Sequence, residues 1–435
     1  MNRLISLSTF LIAFAFCTTS DGQIGETPSS FLDPVVRETI KTVGDRNDIK
    51  SAFQYINDTD NRTVKEHIEL TEIPAPPFKE EIRATHWLEM IKVETGLDSV
   101  WIDEVGNVLA WKKGRQGNRT VVLDAHLDTV FPEGTDVTVK MKGDTLSAPG
   151  IGDDTRGLAM VLSVARAIHH AKIETQANQL YVASVGEEGL GDLRGVKHLF
   201  REGGPQIDAW ISIDGGNTGR VNNQALGSYR YKVEFLGPGG HSWGAFGLAN
   251  PHHAIGSAIH HFVAAADAYT SDGLKTSYNV GVMGGGTSVN SVPFESYMLV
   301  DIRSEVPTRL DAMEKILHKA CEKALNAQNE IARLGHPIEL KITKIGNRPS
   351  GSIDERAPLI QNAIGATAFM GKYPKLTIGS TNSNIPISLG VPAVTIGRGG
   401  KAQFGHSLNE WWMNDESGPQ AIQLALLLFV VECGI

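Results

Sequence analysis

The stretch NQLYVASVGEEG, residues 178–189, runs apolar without alternation and then closes on two adjacent glutamates. A segment apolar at successive positions offers hydrophobic side chains to both faces of a sheet, as a central strand covered on both sides must. The two carboxylates at its end pose the functional question. Burying one without a partner is costly or forces it to protonate, and a second beside it makes matters worse. Something positive has to sit there, or the pair must face water.

The same rhythm recurs in both directions. VVLDAH (121–126) and AWISID (209–214) are apolar runs, separated by the helical stretches RGLAMVLSVARAIHHA (156–171) and GDLRGVKHLF (191–200). Strands and helices in alternation give an α/β fold with a mostly parallel sheet flanked by helices. Upstream, residues 30–98 read as helical except at IPAPPF (73–78), where prolines force an extended loop. From Leu226 the pattern changes to YRYKVEFLG, a helix, two strands YNVGVMGGG and ESYMLVDIRSE, a long amphipathic helix and IELKITKIG, a βαββαβ unit. KLTIG, GVPAVTIG and a C-terminal helix then resume the first rhythm. The expected organisation is a catalytic domain in two parts, 23–225 and 348–435, with a smaller domain, 226–347, inserted between them.

Composition narrows the function. The chain has 435 residues, 41% hydrophobic and 20% charged, which is ordinary globular composition. Residues 1–22 read as a signal peptide, with Arg3 ahead of an apolar run and small residues after it; lipidation at Cys17 is the lesser alternative because Phe16 makes a poor lipoprotein site. Removing Arg3 and Asp21 with that segment leaves 39 basic against 48 acidic residues, which argues against nucleic acid or an anionic membrane as partner. Cys321 and Cys433 then form no disulfide framework. No later segment reaches the apolar length of a membrane span, and AIQLALLLFVVECGI reads as a core helix. The mature protein is expected to be exported, periplasmic or extracellular.

Ligands of open α/β sheets bind beyond the carboxyl ends of the strands, and there this chain collects its acids and histidines. VVLDAHLDTVFP supplies His126 and Asp128, QLYVASVGEEG supplies Glu187 and Glu188, ISIDGG supplies Asp214, and SAPGIGDDTRG brings Asp153 and Asp154 to the start of a helix. Each alone has a structural explanation: an aspartate before a helix caps it, a histidine at a strand end is hydrogen-bonded in place, and Asp214 before two glycines makes a turn. Together they crowd one crevice with carboxylates, and no Lys or Arg stands among those strand ends. A pair of divalent cations would resolve the repulsion; mixed carboxylate and imidazole donors suit zinc, cobalt or manganese.

With these motifs in order, HLDTV, GIGDDTRG, GEEG, IDGG and GHS (405–407), the chain resembles the two-zinc exopeptidases and amidohydrolases that include aminoacylase, glutamate carboxypeptidase, peptidase T and succinyl-diaminopimelate desuccinylase. The resemblance runs from about residue 60 to the end. It implies that His126 and Asp214 hold one metal, Glu188 and His406 the other, and that Asp153 bridges them. Asp128 would orient the His126 imidazole. Glu187 would be the general base, taking a proton from the attacking water and returning it to the leaving amine. Successive side chains at a strand end point to different sides, so two neighbouring glutamates can serve two tasks.

The resemblance further makes the inserted domain a lid and dimerisation domain. Within GPGGHSWGAFGLANP (237–251), His241 would polarise the oxyanion, reaching the partner's site in a homodimer, while Asn290 and Arg303 would hold the polar end of the substrate. For Arg303 a surface ion pair is the alternative. One departure stands out: GSTNSNIP carries Asn382 where many relatives have aspartate, which removes a negative charge near the crevice. The implied function is a secreted two-zinc exopeptidase acting on the ends of short peptides, closest to a tripeptide aminopeptidase. The alternatives are a deacylase of N-acyl amino acids, a carboxypeptidase of the same family, and a catalytically silent metal- or peptide-binding relative.

Overall fold

The computed structural model describes residues 32–435, so the signal-peptide reading and Cys17 lie outside the described residues. Four helices open the described residues, Pro34–Gly44, Asn47–Asp58, Asp60–Thr71 and Glu81–Ile91, and the proline loop interrupts them between the last two. A nine-stranded sheet follows. At its centre Asn178–Ser184, Thr120–His126, Ala209–Ile213 and Ala393–Ile396 lie side by side and parallel. The margins are antiparallel where Val108–Lys112 joins Asn178–Ser184 and where Arg220–Ala225 joins Ala393–Ile396.

Burial of both faces explains the unalternating runs. In Thr120–His126, Val121, Leu123 and Ala125 pack into the large core under the helices Thr155–His170 and Ser417–Cys433, while Val122 packs with Leu193, Val196 and Leu199 on the opposite face. Tyr181 and Leu180 divide in the same way. The apolar C-terminal segment is accordingly a core helix, buried from Leu424 to Val430. Among the described residues no helix is long and apolar enough to cross a membrane.

The insertion forms an antiparallel sheet of four strands in the order Thr276–Gly285, Glu295–Ser304, Gly227–Leu236, Glu339–Arg348. Its helices Pro251–Thr270 and Pro307–Glu330 cover one face. Glu295–Ser304 alternates strictly between buried and half-buried residues, and the buried set (Met298, Val300, Ile302) meets Phe262, Leu310 and Leu317 in a separate apolar core. A one-sided amphipathic strand is what a two-layer unit requires.

A small sheet that the sequence pattern did not reveal bears on the site. Lys401–Gln403 and Trp411–Met413 form a hairpin that pairs with Thr145–Ser147, its turn holding His406 and its second strand leading away from Glu410. Thr145–Ser147 runs directly into the SAPGIGDD loop. Distant parts of the chain are thereby stitched together beside the crevice.

Candidate metal centre

All four central parallel strands exit at one edge of the sheet, so parallel pairing alone delivers His126, the Glu187–Glu188 pair, Asp214 and Arg398 to the same place. His126 is the last residue of its strand. Its Nδ1 lies 2.9 Å from the backbone carbonyl of Asp128, and its Nε2 lies 3.0 Å from Oδ1 of Asp153. A carbonyl can only accept, so Nδ1 carries the hydrogen and Nε2 is left to face a carboxylate oxygen. Asp128 works mainly on the backbone: its two carboxylate oxygens accept from the amides of Glu187 at 2.9 Å and Glu188 at 2.7 Å, while Oδ1 stands 3.6 Å from His126 Nδ1. It ties the end of one strand to the end of the next.

The two aspartates after GIG separate into two tasks. Asp154 is the N-cap of Thr155–His170, with Oδ1 accepting from Gly157 at 3.2 Å, and its Oδ2 accepts from the backbone amide of His126 at 3.2 Å. Asp153 is free of that duty and lies between two imidazoles: Oδ1 is 3.0 Å from His126 Nε2 and Oδ2 is 3.1 Å from His406 Nε2. His406 Nε2 is also 3.1 Å from Oε1 of Glu188. Donor atoms of His126, Asp153 and Asp214 lie within 4.8 Å of one another, as do those of Asp153, Glu188 and His406, and the overlapping group His126, Glu187 and Glu188. Asp153 is common to the first two groups.

The loop holding Asp153 is anchored by Glu410, which the sequence reasoning did not single out. Its carboxylate accepts from the amides of Gly150 at 3.0 Å, Gly152 at 2.8 Å and Asp153 at 3.2 Å. On the other side Gly186 turns the GEEG segment with φ of 66°, where a Cβ would strike the Arg194 guanidinium. His406 itself adopts φ of 64°, sparsely populated for a non-glycine residue and commonest at functional sites.

The absence of basic residues at the strand ends does not hold. Arg398, two residues beyond Ala393–Ile396, places Nη1 at 3.2 Å from Asp153, 3.3 Å from Asp154 and 3.8 Å from Asp214. Arg348 ends the strand Glu339–Arg348, one position past the expected end of the insertion, lies 2.9 Å from Oε1 of Glu187 and donates to Ser380 at 3.1 Å. Both are overlooked for physical reasons: Arg398 sits inside a glycine run, GRGG, and Arg348 enters from a sheet in another part of the fold.

Six carboxylates, those of Asp128, Asp153, Asp154, Glu187, Glu188 and Asp214, still outnumber these two guanidiniums. The protonation equilibria register the imbalance. Burial, with help from Glu188 and Asp214 and against Arg348 and His126, pushes the Glu187 carboxyl up to about 8. Hydrogen bonds to Asp153 and Glu188 push His406 up to about 10. Burial opposes a charged His126, yet the carboxylates of Asp128 and Asp153 outweigh it and hold its pKa well above the ordinary value. These imidazole nitrogens are sites that demand a positive charge, and a divalent ion competes with the proton for the same lone pairs. The donor set, one imidazole and one carboxylate on either side of a shared Asp153, therefore fits two divalent metals.

The remaining candidates lie on the insertion. Gly240–His241 pairs with Ser291–Val292, and Ser242 donates to the carbonyl of Asn290, so His241 and Asn290 are exposed neighbours. Among the described residues no hydrogen bond or ion pair joins either to the acid and histidine cluster; His241 Nδ1 accepts from Trp243 and Gly244. Arg303 makes the ion pair left open for it, with Asp301 at 2.8 Å. Asp301 also holds Arg230 at 3.1 Å, and Arg230 donates to the carbonyl of Gly189, beside Glu188. Asn382 is not at the crevice: it is buried, donating its amide to both oxygens of Asp124 at 3.1 and 2.9 Å and to Ser184 at 2.7 Å.

The chain is similar over most of its length to proteins described as hydrolases and peptidases. It is 25% identical over 370 residues, 83% of this chain and 95% of the other, to a Pyrobaculum aerophilum protein named for hydrolysis of LysW-lysine and LysW-ornithine. Among solved structures, a tripeptidase from Staphylococcus aureus superposes with a TM-score of 0.69 at 22% identity, covering 86% of this chain and 98% of that one. The YXEP protein of Bacillus subtilis, described as a dinuclear metal binding peptidase, superposes with a TM-score of 0.60 at 16% identity over 86% and 99% of the two chains. The family model for Peptidase family M20/M25/M40 matches residues 122–429, from the strand that ends in His126 to the C-terminal helix, and the chain belongs to that family.

Proposed function

We propose that this hydrolase of the M20 family is a two-metal exopeptidase that removes terminal residues from short peptides, with zinc as its metal. The observation that carries the reading is Asp153, each of whose oxygens faces a different imbidazole-bearing donor group, with Glu187 beside one of them. Divalent ions held there would supply Lewis acidity, activating a water and polarising the scissile carbonyl.

The chain's own residues account for the rest. Glu187 projects from the same turn as Glu188 without belonging to the Asp153–Glu188–His406 group, and it is buried beside Arg348. It would take the proton of the attacking water and pass it to the leaving amine. Asp128 fixes the backbone of both glutamates, so the base and its neighbouring donor keep a constant separation. Arg303 and Asn290 would meet the polar end of the peptide, and His241 would serve the oxyanion of a partner subunit's site in a homodimer. Export after loss of residues 1–22 belongs to the same proposal.

A deacylase removing the acyl group of an N-acyl amino acid is the second reading, favoured by the likeness to the protein named for LysW-lysine hydrolysis. Mass spectrometry of free and N-acylated tripeptides incubated with zinc-loaded protein separates the two. Loss of one N-terminal residue, absent after EDTA and in Glu187→Gln, is the expected result. Glu187→Gln should reduce kcat by about 10²–10⁴-fold while metal content stays unchanged. Release from the C-terminus, or change in the acylated members alone, would displace the aminopeptidase reading.

A further inference from the structure

Arg398 enters the metal centre from one side. Its Nη1 contacts Oδ1 of Asp153 at 3.2 Å and approaches Oδ1 of Asp214 to 3.8 Å, with the capping Asp154 at 3.3 Å. Oδ1 of Asp153 is the oxygen that faces His126; Oδ2 faces His406. Among the described residues no ion pair joins Arg398 to Glu188. The two prospective metal positions thus share Asp153 and differ in their surroundings. Two of the three donors at His126–Asp153–Asp214 already lie against a permanent positive charge. At Asp153–Glu188–His406 only the shared aspartate does, through its other oxygen. The second buried guanidinium, Arg348, pairs with Glu187, outside that second group.

We infer that Arg398 makes the two positions unequal, weakening divalent-ion binding at His126–Asp153–Asp214 relative to Asp153–Glu188–His406. The inference rests on the two-metal reading. A guanidinium does not lose its proton under ordinary conditions, so it cannot yield its charge to an arriving ion. Its side chain is only 10% exposed, which limits screening by water. It also draws on the oxygen of Asp153 that the first ion needs. With that position empty, Arg398 keeps Asp153, Asp154 and Asp214 together; with it filled, the guanidinium stands beside a like charge. The protein then holds one ion at limiting metal concentration, on the His406 side, and fills the other position only at higher concentration.

Calorimetric titration of the full, chelator-stripped protein with Zn²⁺, repeated with Co²⁺ while its visible absorption is followed, reads this directly. The unmodified protein should bind two ions in steps at least about tenfold apart, and Asp214→Asn should remove the weaker step while leaving the tighter. Arg398→Met should tighten the weaker step by at least about tenfold, closing the gap, and Arg398→Lys, which keeps the charge, should preserve it. Arg398→Gln serves as a second neutral variant, with circular dichroism establishing that each is folded. Equal steps in the unmodified protein, loss of the tighter step in Asp214→Asn, or an unchanged gap in the neutral variants would overturn the inference and leave the two-metal reading standing. Fewer than two ions bound by the unmodified protein would overturn both.

Discussion

Asn382 shows how one residue's meaning depends on its neighbours. Its side-chain amide nitrogen donates to both oxygens of Asp124 and to the Ser184 hydroxyl in a buried network that leaves its own Oδ1 without a partner. Burial already pushes the Asp124 carboxyl up to about 6, and the hydrogen bonds from Asn382, Ser184 and Ser212 pull against that. An aspartate at 382 would set a second carboxylate against the first, and the pair could be tolerated only by sharing a proton. Asn382→Asp should therefore cost on the order of 3 kcal/mol at pH 8 in denaturant melts, with part of the loss recovered at pH 5.

His67 gives a second prediction at this scale, with the opposite dependence on acid. It is fully buried, with Nε2 2.5 Å from the carbonyl of Ile151, and burial, assisted by Arg156 and Arg398, pushes its pKa down to about 3. Above pH 6.5 neither the folded nor the unfolded chain binds this proton, and His67 is silent. Between 6.5 and about 3 the unfolded chain takes a proton that the fold refuses, so stability falls with falling pH. The contribution is about 1.4 kcal/mol per pH unit. His67→Gln, which keeps a donor for Ile151, should flatten the acid limb of stability measured by denaturant titration between pH 6.5 and 4 by up to that slope.

At the scale of elements, the centre depends on the hairpin Lys401–Met413 as much as on the central strands. The hairpin presents His406 at its turn and then places Glu410 under the loop that holds Asp153. One carboxylate satisfies three backbone amides that would otherwise have no fixed partner, so the loop's shape is tied to the presence of that side chain. Glu410→Ala should weaken divalent-ion binding by about 10–100-fold in calorimetric titration, although Glu410 belongs to neither donor group. Glu410→Gln, which retains one acceptor, should fall between.

For the whole molecule, the insertion is joined to the catalytic crevice through Arg230 on Gly189, Asn347 on Asp192 and Arg348 on Glu187. His241 and Asn290 lie on its exposed face, outside the hydrogen bonds and ion pairs of the crevice among the described residues. On the proposal that His241 completes the partner's site, His241→Ala and Glu187→Gln should each be inactive, and mixing them after dissociation should restore about a quarter of normal activity. No recovery in a dimer confirmed by light scattering would remove His241 from the mechanism.

Much of this architecture was legible in the chain itself. Runs apolar at every position could only be strands covered twice, and parallel strands must send their ends to one edge, so the convergence of His126, Asp153, Glu188 and Asp214 followed from local chemistry. In the insertion, the strict alternation of Glu295–Ser304 records a sheet covered on one face. Pairings between distant segments were not legible. The hairpin on Thr145–Ser147, the Glu410 anchor, Asn382 against Asp124 and the two guanidiniums each join residues separated by more than a hundred positions. Periodicity records how a segment meets its surroundings, so it determined the elements and the edge where acids gather. Which charges stand beside which is set by the packing of those elements, and only the tertiary structure decided that Asp153 lies between two histidines with Arg398 on one side alone.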